Sequence, residues 1–132
     1  MAPAPMIISP QGGGRDGQAI RGATLVIEDW TTGEAAGEVA PLHVHHADDE
    51  AWHVVSGALR FRFEDRQVTA RAGATVLVPA GVPHTFGNAG PGPSRFIIIL
   101  PARLEKLISQ LHQADPAQHP AIYRACASEL LD

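Results

Sequence analysis

Three histidines and a glutamate, His43, His45, Glu50 and His84, stand at spacings that let neighbouring strands bring them to one point. His43 and His45 are two residues apart, so on an extended strand both imidazoles project from the same face, about 6 to 7 Å apart along the backbone. One cation can then bind both. Glu50 follows five residues after His45, enough for the chain to reverse and for the next strand to offer a hard oxygen donor to the same ion. His84 closes the set from a third strand. Three neutral nitrogens and one carboxylate suit a divalent transition metal (Fe, Mn, Ni, Co, Cu or Zn) and suit Ca or Mg poorly. Four protein groups on a six-coordinate ion leave about two positions for water, substrate or dioxygen, which is the open-site condition for catalysis.

Placing four ligands this way requires short strands and tight reversals, and the chain has both. Leu59, Phe61 and Phe63 alternate with Arg60, Arg62 and Glu64, a period of two that predicts a half-buried strand with both arginines on the outer face. Apolar or β-branched runs predict further strands at 23–30, 39–45, 51–55, 67–71, 75–78, 83–86 and 95–100, starting near Ala19. Gly37, Gly57, Gly73 and the turn Pro79-Ala80-Gly81 sit where these strands reverse. Beyond Pro101 the pattern changes. Leu104, Leu107, Ile108 and Leu111 recur at helical spacing, and Ile122, Tyr123, Cys126 and Leu130 form a second run after Asp115-Pro116, a cap with proline at the first helical position. The expectation is one domain: an N-terminal segment at 1–18 with a loop at Gly12 to Gly14, β-structure at 19–100, and two C-terminal helices at 101–132 that cover one mouth or pack on a partner.

The two blocks Gly37-x5-His43-x-His45-x4-Glu50-x6-Gly57 and Gly73-x5-Pro79-x-Gly81-x2-His84-x3-Asn88 resemble the two sequence motifs of the cupin superfamily at every defining position. The resemblance implies an all-β fold, a small antiparallel jelly-roll barrel (double-stranded β-helix), with a metal held inside by His43, His45, Glu50 and His84. The stretch 42–86 looks most like the small single-domain proteins grouped with quercetin dioxygenase, which implies a metal-dependent dioxygenase acting on an aromatic or enolisable small molecule. In that reading Glu50 is also catalytic, shifting off the metal to accept a substrate proton. The same site suffices for a non-oxidative isomerase, cyclase or lyase, and for a binding protein that senses a metal or small molecule without turnover. Small cupins pair their barrels through an edge strand and an N-terminal segment, so a homodimer is expected, with Met6 to Ile8 as a candidate strand.

Other residues near the ligands have plainer readings. Trp52, Phe61, Phe63 and Phe86 share faces with the ligands and would wall a pocket or fill the core. His46 and His53 read as rim or surface histidines, Asp48 and Asp49 as solvated rim charges, and His112 and His119 as residues without a catalytic role. A net charge of −4, with nine scattered arginines and one lysine, offers no basic patch for nucleic acid. The longest apolar run, from Phe96 to Leu100, is far short of a membrane span of about 20 residues. The N-terminus lacks the apolar stretch of a signal peptide, and Cys126, the single cysteine, has no intrachain partner, so the expected compartment is the cytoplasm.

Overall fold

The computed structural model describes residues 4–8 and 18–132; the expected glycine loop at 12–14 lies outside them. Residues 4–8 carry no strand, and Met6 and Ile7 are exposed. A five-stranded sheet is formed by β1 (Gln18–Arg21), β2 (Leu25–Thr31), β5 (Glu50–Ser56), β8 (Thr75–Val78) and β10 (Arg95–Pro101), in the order β1-β2-β10-β5-β8. A four-stranded sheet holds β3 (Gly37–Glu38), β6 (Ala58–Arg62), β7 (Gln67–Arg71) and β9 (Thr85–Asn88), in the order β3-β9-β6-β7. A third pair joins β4 (His43–His45) to β11 (Ser128–Leu130). Every pairing among the described residues is antiparallel.

Alternation decides which face is buried. Glu50, Trp52 and Val54 of β5, Leu59 and Phe61 of β6, and Phe96, Ile98 and Leu100 of β10 all turn inward, while Arg60 stays exposed. The two larger sheets meet through aromatic rings: Trp52 and Phe61 have centroids 5.1 Å apart, and Phe86 and Phe96 lie 5.5 Å apart. Such edge-to-face pairs add to the burial of large apolar side chains and give the interior a fixed geometry. Gly87 explains how closely the strands of the smaller sheet approach, because a Cβ there would fall on the Gly37 carbonyl of β3. Gly57 makes the turn between β5 and β6 at φ +75°, with Ser94 against it, so the turn admits no side chain.

The expected strand at 39–45 shortens to His43–His45, consistent with Pro41, which lacks the N–H a ladder needs. The strand expected at 83–86 moves to 85–88, and His84 instead forms an isolated bridge with His43. After β10 come α1 (Ala102–Gln113), a 3-10 turn at Pro116–Gln118 preceded by Asp115, whose side chain makes no capping hydrogen bond, and α2 (His119–Ala125). The second helix does not run to Leu130 as its spacing implied. It stops at Ala125, Ala127 takes a left-handed φ of 52°, and the chain enters β11, where Ser128 pairs with His45 and Leu130 with His43. The competing interaction is backbone pairing: β4 is a buried strand whose polar groups need a partner, and β11 supplies it. No helix among the described residues is long and apolar enough to cross a membrane.

Candidate metal centre

β4 presents His43 and His45, the bridge opposite it presents His84, and the first residue of β5 presents Glu50. Reciprocal backbone hydrogen bonds, His43 N to His84 O at 3.0 Å and His84 N to His43 O at 2.8 Å, fix the spacing between the two segments. All four side chains are buried. One ring nitrogen from each of the three histidines lies within 4.8 Å of the others. Glu50 Oε1 stands 3.3 Å from His45 Nε2 and 3.1 Å from His84 Nε2.

The far side of each ring settles what the near side can do. His43 Nδ1 is 2.8 Å from the Pro41 carbonyl and His84 Nδ1 is 2.9 Å from the Val82 carbonyl. Carbonyls only accept, so both Nδ1 atoms carry the proton. His45 Nδ1 is 2.7 Å from Ser128 Oγ, and that hydroxyl donates its own proton to Cys126 O at 2.9 Å, so it too accepts from the ring. Each neutral imidazole has one N–H, and here it is spent outward, which leaves three Nε2 lone pairs facing inward. Glu50 stands against two of these rings, His45 and His84, beside the three-histidine cluster. Burial pushes its carboxyl up, and hydrogen bonding and charge from His45 and then His84 bring it down to about 2, so a positive group, a proton or a metal ion, has to share the space with it. Lone pairs and a carboxylate at contact distance repel one another unless a cation lies among them, and this donor set therefore fits a divalent transition metal.

His43 also makes the fold acid-sensitive. Burial, and next the His84 charge, lower its imidazole to about 4 from an ordinary 6.5. As pH falls through 6.5 the unfolded chain gains a proton at His43 that the folded chain refuses until about 4, so stability is full above this window and declines within it. The metal-free protein is expected to lose up to about 3 kcal/mol from this residue between pH 7 and pH 4. Urea denaturation at the two pH values, beside His43→Gln, measures it. A pH difference equally large in the variant would show that the loss comes from other groups.

A cavity of about 590 Å³ opens beside the ligands, and His43, His45 and Glu50 line it. Its walls are largely apolar: Phe86 from β9, Phe96 and Ile98 from β10, and Leu104, Leu107, Ile108 and Leu111 from α1. The C-terminal helices thus form one wall of the cavity. Of the aromatics read as pocket residues, Phe86 lines it, whereas Trp52 and Phe61 are fully buried in the core behind it and Phe63 lies under Arg66, 5.9 Å from its ring centre. Asn88, a motif residue, ties down the wall loop: its Nδ2 reaches the carbonyls of Gly92 at 2.8 Å and of Gly33, Glu34 and Ala35 at 3.1 to 3.3 Å.

His46 is exposed and His53 bonds Thr75 on the outer face, as their alternation implied. Asp48 is not a solvated charge: it is largely buried in a two-point ion pair with Arg103 that fastens the ligand loop to α1. His112 and His119 both line the cavity, and His119 Nε2 also donates to the Leu111 and Ala114 carbonyls at the end of α1. Sequence reasoning overlooked three further residues. Ser128 orients His45, Tyr123 lines the cavity with its ring 5.5 Å from that of His43, and Glu28 lines it from β2. Burial, followed by the Glu105 charge, pushes the Glu28 carboxyl up. Burial, followed by the Glu50 charge, pushes the Tyr123 hydroxyl up to about 12. The residue types alone gave no signal, because each reaches the site from a distant element.

Comparison with known proteins agrees with this architecture. The family model described as Cupin domain matches residues 32–100, the stretch that contains all four ligand candidates. Among solved structures, a protein from Bacillus halodurans aligns with a TM-score of 0.64 at 18% identity, over 75% of this chain and 82% of that one. A cupin protein from Bacteroides fragilis aligns with a TM-score of 0.61 at 14% identity, over 73% and 82%. A cupin-2 domain containing protein from Shewanella frigidimarina aligns with a TM-score of 0.55 at 24% identity, over 64% and 78%. No curated protein matches the chain. At such identities the likeness is one of fold.

Proposed function

We propose that this chain, which belongs to the cupin family, is a metal-dependent oxygenase of a small aromatic or enolisable molecule. The observation that carries the reading is the cluster of three inward lone pairs, with Glu50 against two of the rings, beside a mostly apolar cavity of about 590 Å³, a size ordinary for small-molecule sites. His43, His45 and His84 would hold the metal, with Glu50 as fourth ligand. A bound divalent transition metal supplies Lewis acidity for a substrate oxygen and, if redox-active, a site for dioxygen. Glu50, against the His45 and His84 rings on the cavity wall, would accept the proton of an enol or phenol. The walls from β9, β10 and α1 would offer a substrate apolar contact beside the ligands.

Charge narrows the substrate. Among the described residues no lysine or arginine lines the cavity, and Glu28, Glu38 and Glu50 do. A phosphorylated or multiply anionic substrate would meet no compensating cation there apart from the metal. A compact, largely apolar molecule with one ionisable oxygen fits.

The test is reconstitution of the metal-free protein with Fe(II), Mn(II), Ni(II) or Co(II) under nitrogen, followed by oxygen-electrode assays with flavonols and 1,3-diketones. Metal-dependent oxygen uptake is expected, reduced at least about 100-fold in Glu50→Gln. Tight metal binding without oxygen uptake across the panel would transfer the weight to isomerase, cyclase or lyase chemistry, or to binding without turnover.

The same proposal includes a second copy of the chain as partner. Ile20, Ile27, Ile99, Ala51 and Leu77 lie side by side in register across the outer face of the five-stranded sheet, with Leu77 exposed. Leu77→Asp is expected to halve the mass seen by light scattering. A wild-type protein that is already monomeric would remove this face from consideration.

A further inference from the structure

Tyr123 is a large polar side chain in an unusual position. It comes from α2, is 3% exposed and lines the cavity, and its ring sits tilted 5.5 Å from that of His43. No hydrogen bond from another described residue engages its hydroxyl, which is not among the fully enclosed polar atoms and so opens onto the cavity. A hydroxyl on a cavity wall with no protein partner among the described residues is free to bond a ligand in place of solvent. Packing alone would be served as well by phenylalanine. The ring contact of Tyr123 with His43 and the cavity wall it shares with His43, His45 and Glu50 put the side chain on the ligand side of the cavity.

We propose that the Tyr123 hydroxyl is a substrate-recognition group that donates a hydrogen bond to an anionic oxygen, of enolate, phenolate or carboxylate type, which the ligand places at the histidine cluster. The inference rests on the metal-site reading above and adds a donor to it. His43, His45 and His84 point lone pairs inward and Glu50 is anionic, so none of the four can donate to a ligand oxygen. Tyr123 supplies what that set lacks. A ligand oxygen with two lone pairs can face the metal with one and the phenol with the other. The proposal also gives α2 a purpose beyond forming one wall of the cavity, since its one buried residue is this donor.

The experiment uses Co(II)-loaded full-length protein and Tyr123→Phe, with 4-nitrocatechol as the oxyanion probe and imidazole as a probe that binds metal through nitrogen and offers no second lone pair. Metal content is measured first by elemental analysis, then both probes are titrated by visible absorption. The expected result is one metal in both proteins, 4-nitrocatechol about tenfold weaker in the variant with its bound spectrum shifted, and imidazole unchanged. Equal 4-nitrocatechol affinity in the two metal-loaded proteins overturns the inference and leaves the metal site standing. Equal weakening of both probes also overturns it, by showing that the tyrosine supports the site only as structure. Absence of metal from the wild-type protein overturns the metal-site reading itself, and the inference falls with it.

Discussion

Replacing His43 and His45 together by alanine is expected to lower the affinity for a divalent transition metal by at least about a thousandfold, because the two remaining donors hold such an ion weakly. The two rings are the contribution of one three-residue strand, and no other histidine nitrogen among the described residues stands close enough to replace them. The fold should survive. β4 is fastened by backbone hydrogen bonds to β11 and to His84, which the substitutions leave in place. Removing His43 also removes an imidazole whose burial is itself costly. Elemental analysis after dialysis, with circular dichroism as the control for folding, measures the outcome. Stoichiometric metal retained by a folded double variant would show that the ion sits elsewhere.

The ligand candidates could be read from the chain because their geometry is local. Two histidines on one three-residue strand share a face by the pleat alone, and turn residues at Gly57, Gly73 and Gly81 mark the reversals around them, each at positive φ. β6, β7 and β8 were equally legible, since strict alternation or a compact apolar run lies between clear turns. What could not be read depends on partners far along the chain. Asp48 meets Arg103, 55 residues away, so a loop acid that reads as solvated is an anchor. Trp52 and Phe61 do turn inward, but alternation cannot tell the cavity end of the interior from the packed end. The helical spacing of Ile122, Tyr123 and Cys126 contained no sign that the chain would leave the helix after Ala125, because the reason is an unpaired strand formed some 80 residues earlier.

That late strand leads to the second large effect. Ser128→Ala is expected to weaken metal binding about 10- to 100-fold while leaving the fold intact, the range seen when an outer partner of a ligating histidine is lost. Ser128 is buried, takes the Nδ1–H of His45 at 2.7 Å and passes its own proton to Cys126 O at 2.9 Å. Without the hydroxyl, His45 either strands an N–H in a dry place, at about 1 to 3 kcal/mol, or moves its proton to Nε2. The second course removes a lone pair from the metal point and lets Nε2 donate to Glu50 instead, so apo-protein stability would change little while affinity falls. β11 itself is held to β4 by main-chain pairing that alanine preserves. Threonine at this position retains the hydroxyl and should restore most of the affinity. Competition against a chromogenic chelator, run on wild type, Ser128→Ala and Ser128→Thr, separates the cases: equal affinities in all three would mean that the His45 tautomer is fixed by the metal and not by the C-terminal strand.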